Sequence, residues 1–185
     1  MKTIICLFAC LFVGSVNATV IQTIGAGSAV ADIDRTVDYT GLTNGTSFAN
    51  YSEEGIFTTH PTDQANCQGT CGSFGFGSGG FYYNNGFAGY VSIRTTDGLE
   101  MYGIELQIGS GFSSTDTVGH WEAFDDGVEV GGGEFDVAFG TILGFYDELL
   151  FDELRIATYN PSNLAPTFFD PGKRQTTAMD NIHVQ

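Results

Sequence analysis

The sequence predicts an all-β domain built as a sandwich of two antiparallel sheets. Three observations carry this. Apolar residues recur at every second position over several stretches, glycine outnumbers proline 26 to 4, and turn signals such as Asp125-Asp126-Gly127 punctuate the chain between those stretches. With 185 residues and 42% hydrophobic side chains the chain suits one domain with a buried core. Many short alternating strands bury one face each most simply by packing sheet on sheet.

The elements follow in chain order. Residues 1–18, MKTIICLFACLFVGSVNA, place one lysine before an apolar run and end in small residues, which predicts a signal peptide and a mature domain over 19–185. Val91 and Ile93 alternate with Tyr90, Ser92 and Arg94, and Thr95-Thr96-Asp97-Gly98 ends that strand. Tyr102, Ile104, Leu106 and Ile108 alternate with Gly103, Glu105 and Gln107, so the first set is expected inside and the second in water. Trp121 to Phe124 and Val128 to Val130 flank Asp125-Asp126-Gly127 and predict a hairpin. Phe135, Val137 and Phe139 continue the alternation after Gly131-Gly132-Gly133. Residues 147–156 contain good helix formers, but the β-favouring Phe145, Tyr146, Ile156 and Tyr159 around them predict strand.

Charge and cysteine usage narrow the function. Six Lys and Arg against 22 Asp and Glu give a formal charge of −16, and Arg35, Arg94, Arg155, Lys173 and Arg174 are scattered, which excludes a nucleic-acid partner. The only long apolar run is the leader, so no membrane span is expected. Removing the leader leaves Cys67 and Cys71, whose closeness in an exported chain predicts a small local disulfide that shapes one loop. His60, His120 and His183 are separated and lack zinc-hydrolase spacing.

Thr36-Val37-Asp38-Tyr39-Thr40-Gly41-Leu42-Thr43-Asn44-Gly45-Thr46, then Tyr51-Ser52-Glu53-Glu54-Gly55-Ile56 and the closing Thr177-Ala178-Met179-Asp180-Asn181-Ile182-His183-Val184, resemble secreted bacterial β-sandwich proteins of the PEP-CTERM type. The Ala-Met-Asp-Asn run is also similar to the last strand of jelly-roll carbohydrate-binding modules and MAM-like domains. The resemblance implies a jelly-roll sandwich whose first and last strands lie side by side. It also implies one structural Ca²⁺ there, on Asp180 with Asp38 as partner. The chain stops at His183-Val184-Gln185 with no Pro-Glu-Pro sorting tail, so free secretion to the extracellular space is expected.

Two segments carry candidate ligand contacts. Tyr82 and Tyr83, with Asn84 beside them, could form a sugar platform, flat rings stacking on a pyranose while an amide reaches its hydroxyls; aromatic β propensity alone explains the same residues as sheet fillers. Trp121, in His120-Trp121-Glu122, is a core anchor or, if exposed, a stacking surface. Asp147, Glu148, Asp152 and Glu153 could serve a glycosidase, with Glu148 and Asp152 on one strand face, yet no hydrolase signature accompanies them. The expected function is therefore a secreted, non-catalytic binding module for extracellular carbohydrate or matrix. A structural or adhesive protein without a small ligand and a polysaccharide-degrading enzyme are the alternatives. The oligomeric state is not legible in the sequence.

Overall fold

The computed structural model describes residues 19–39, 50–59, 76, 82–83, 90–110, 118–138, 140–159 and 177–185. Among the described residues twelve strands are formed: β1 Ile21–Ile24, β2 Arg35–Val37, β3 Asn50–Glu53, β4 Ile56–Thr59, β5 Tyr82–Tyr83, β6 Val91–Thr95, β7 Met101–Ser110, β8 Val118–Asp125, β9 Val128–Asp136, β10 Thr141–Phe151, β11 Glu153–Tyr159 and β12 Thr177–Val184. One sheet runs β1-β10-β7-β12-β2, with β5 also paired to β12; the other runs β3-β4-β6-β11-β8-β9. Every pairing is antiparallel. The architecture is the expected sandwich of two antiparallel sheets. Between β6 and β12 the chain passes from one sheet to the other at every connection except the β8–β9 hairpin.

The core lies between the sheets and follows the period of two. Ile104, Leu106 and Ile108 of β7 face Val91 and Ile93 of β6 and Leu154 and Ile156 of β11, all fully buried. The predicted hairpin forms with Asp125 opposite Val128, so the loop is Asp126-Gly127. Both loop residues adopt positive φ, 49° and 78°, the geometry that matches strand twist and that glycine tolerates best. Glu54-Gly55 joins β3 to β4 the same way, at 47° and 78°.

Three departures from the alternation have physical causes. Residues 147–156 are strand, as expected, but not one strand: Leu150 has φ 70°, the register shifts between Tyr146 and Phe151, and Asp152 is a bend at which the chain leaves one sheet for the other. Glu148 therefore sits exposed on β10 while Asp152 lies at the corner, and the shared strand face expected for them does not exist. Glu105, expected in water, is 2% exposed because residues 25–31 fold over it. Tyr102, expected inside, is exposed and Met101 takes the buried position. The N–H groups of Tyr102 and Gly103 both donate to the Gln185 carbonyl, and this bulge reverses the parity.

Candidate binding face

The outer surface of the β3-β4-β6-β11-β8-β9 sheet carries a cluster of aromatic and charged side chains. Register builds it row by row. Phe57 of β4 stands opposite Arg94 of β6, Arg94 opposite Glu153 of β11, and Glu153 opposite Phe124 of β8. In the next row Ser92, Arg155 and Glu122 are aligned, and beyond them Ala157 and His120. Each of these residues has the parity opposite to Ile93, Leu154, Trp121 and Ala123, which point into the core.

The polar groups on this face are held in place by one another. Arg155 donates from Nε to Glu153 Oε1 at 2.9 Å and from Nη2 to Oε2 at 2.8 Å, and the Ser92 hydroxyl donates to Oε1 at 2.6 Å. Burial would raise the Glu153 carboxyl, but these donors outweigh it and hold the group below the ordinary carboxylate range. The Arg155 guanidinium lies over the Phe124 ring at 3.9 Å and the Tyr90 ring at 4.9 Å, and Arg94 lies over Phe57 at 5.1 Å. Toward β9, burial and the charge of Glu129 raise the Glu122 carboxyl, and burial lowers the His120 imidazole against the pull of Glu134 and Glu129. Where the face meets the loops after β6 and β8, a groove of about 500 Å³ opens, with Phe57, Arg94, Gly98, Gly127, Asp152 and Glu153 among its walls. That volume falls within the roughly 300–1,000 Å³ of small-molecule sites. Among the described residues, Arg35 is paired with Asp97 and Arg155 with Glu153, and no described carboxylate lies within salt-bridge reach of Arg94.

The residues singled out in the sequence are placed differently from one another. Trp121 is not a ligand surface: it is 4% exposed, its indole packs on Phe145 at 4.9 Å, and the small residues Gly131 and Gly133 of β9 leave room for it. The reason is parity, since its neighbours His120 and Glu122 take the outer face. The backbone of Tyr82 and Tyr83 forms β5 and pairs with Met179 and Ala178 in the opposite sheet, so it is not part of the face described here. Asn84, Cys67, Cys71 and residues 1–18 lie outside the described residues. Phe57, Tyr90 and Phe124 of this face were not singled out from the sequence. Their outward parity was readable, but the pairing that brings β4, β6 and β8 together through β11 is not a local property of the chain.

Asp38 and Asp180 are brought together. Ile182 pairs with Val37, so the second strand, β2, lies beside the closing strand β12; the first strand, β1, pairs with β10 and not with β12, so the first and last strands are not the neighbours that were expected. Burial, and then the Asp38 charge, push the Asp180 carboxyl up to about 6, against a bond from the Asn181 N–H. Asn181 donates to it twice, from its backbone N–H to Oδ1 at 2.8 Å and from Nδ2 to Oδ2 at 3.1 Å. Asn181 reaches both oxygens because a bulge follows Asp180 and turns it to φ 48°. Among the described residues no group of three or more His, Cys, Asp or Glu side chains is arranged to hold a metal, and no helix is long and apolar enough to cross a membrane.

No protein-family model matches this chain, and no curated protein does. Among solved structures, a point mutant of a carbohydrate binding module of family 29 is similar over 89% of this chain and 92% of its own, at 12% identity and a TM-score of 0.33.

Proposed function

We propose that this chain is a secreted, non-catalytic module that binds extracellular carbohydrate on the outer face of its β3-β4-β6-β11-β8-β9 sheet. The observation that carries the reading is the set of guanidinium-capped rings beside a fixed carboxylate: Arg94 on Phe57, and Arg155 on Tyr90 and Phe124 with Glu153. Neighbouring sugar hydroxyls are each donor and acceptor at fixed spacing. A planar guanidinium edge supplies paired donors, a carboxylate supplies paired acceptors, and ring edges supply apolar surface for C–H groups. Because these side chains already hold one another, little rotamer freedom is left to lose on binding. A phosphate-rich partner is disfavoured, since Asp152 and Glu153 share the groove with Arg94.

Binding of neutral and acidic plant and microbial polysaccharides, compared between the native protein and the Arg94→Ala and Tyr90→Ala variants, tests the proposal. Affinity is expected to fall about tenfold or more in each variant. Full affinity in both would place the site elsewhere.

The proposal includes a structural calcium ion between Asp38 and Asp180. Carboxylate oxygens are the donors a hard cation takes, the Asp38 charge acts on the buried Asp180, and the ion would tie the segment after β2 to the closing strand β12. Calcium takes roughly six to eight oxygens, of which these two side chains would supply a part.

A further inference from the structure

A second concavity, of about 340 Å³, lies on the outer surface of the opposite sheet, bounded by Tyr102, Tyr146, Gln185 and the turn over residues 27–31. In a chain with a net charge of −16, none of the side chains lining it is charged.

Its wall is held from beneath. The N–H groups of Gly27, Ala29 and Val30 donate to the buried Glu105 carboxylate at 2.9, 2.7 and 3.2 Å, which consumes that charge below the surface. Gln185 Oε1 accepts from Ala31 N–H at 3.1 Å and Asp32 N–H at 3.4 Å. Gly103 lies under the turn and lets it seat closely, since a Cβ there would stand 2.3 Å from the Ala29 carbonyl oxygen.

The polar groups left over are the ones a hydroxylated ring uses. Within the described residues no hydrogen bond engages the Tyr102 hydroxyl, the Tyr146 hydroxyl or the Gln185 side-chain NH₂. Tyr102 is 39% exposed only because the bulge opposite Gln185 turns it outward; a regular strand would bury it. Bulges commonly re-aim a side chain toward a site.

We infer that this concavity is a second carbohydrate site, taking one uncharged pyranose unit of a neutral polysaccharide against Tyr102 and Tyr146, so that the module engages glycan through both of its sheets. The inference rests on the reading of the chain as a glycan binder, and adds a site and a ligand class to it. A charged sugar would meet no charged side chain here, whereas a neutral ring meets two phenols and an amide.

The test is a calorimetric titration of the native protein and of Tyr102→Ala, Tyr146→Phe and Arg94→Ala with neutral hexasaccharides of glucose, mannose and xylose, thermal melts confirming each fold. A neutral probe should bind the native protein with two equivalents. Tyr102→Ala should remove one equivalent and leave the other at native affinity, Tyr146→Phe should weaken that same equivalent about threefold to tenfold, and Arg94→Ala should spare it. If Tyr102→Ala changes nothing while Arg94→Ala abolishes binding, the second site falls and the first face stands. If Arg94→Ala changes nothing while Tyr102→Ala abolishes binding, the second site stands alone. Absence of binding by every neutral probe at millimolar concentration overturns the second site.

Discussion

Trp121 and Glu105 show what single positions do in this fold. Trp121 fills the space over Gly131 and Gly133 against Phe145. Trp121→Ala is expected to lower stability by about 3–5 kcal/mol, as for other large-to-small core changes, while Trp121→Phe keeps most of it; chemical denaturation checks both. Glu105 is a buried carboxylate satisfied almost entirely by backbone. Burial alone would raise its pKa, but the N–H donors of Ala29, Gly27 and Val30 outweigh burial and hold it below the ordinary glutamate value. Its folded pKa being the lower one, its stabilisation is complete above the unfolded pKa and is lost as pH falls through the folded value. Glu105→Gln is therefore expected to cost about 2–3 kcal/mol near neutral pH, with the gap to the native protein closing in acid; denaturation midpoints across pH 2–7 would show it, and a pH-independent gap would contradict it. Neither role could be read from neighbours in sequence. Glu105 looked solvated because its partners lie more than seventy residues away.

At the scale of elements, alternation identified strands well and sheets not at all. Ile104, Leu106 and Ile108, the Asp126-Gly127 loop and the closing strand all stand where period and turn chemistry put them. The bulge at Tyr102 and Gly103 and the corner at Asp152 were invisible, because each is set by a partner strand or by a change of sheet and not by the local residue pattern. The same blindness hid the proposed binding face: Tyr90, Ser92 and Arg94, like His120, Glu122 and Phe124, announce their outward parity, but only the β6-β11-β8 order makes them one surface. Gly103 marks an element-scale contact, the seating of residues 25–31 on the sheet. Gly103→Ala would drive a Cβ into the Ala29 carbonyl and is expected to destabilise by about 1–3 kcal/mol. Amide exchange should rise first over residues 25–31, and unchanged protection there would show that the turn is held some other way.

For the whole molecule, the pairing of β2 with β12 forms one edge of its sheet, and the Asp38 charge acts on the Asp180 carboxyl there. With calcium bound between them, chelation lowers the melting temperature of the native protein and leaves Asp180→Ala unchanged; a native melting curve indifferent to chelator removes the ion. The guanidinium-capped rings give the molecule a polar, pre-ordered surface in a chain of net charge −16. Its role is tested most directly by residue-resolved NMR during titration with a polysaccharide fragment that the protein retains. The amides of β4, β6, β8 and β11 around Phe57, Arg94, Phe124 and Arg155 are predicted to shift together and saturably. Saturable binding that leaves those amides unmoved would contradict the assignment of this sheet as the principal glycan-binding surface.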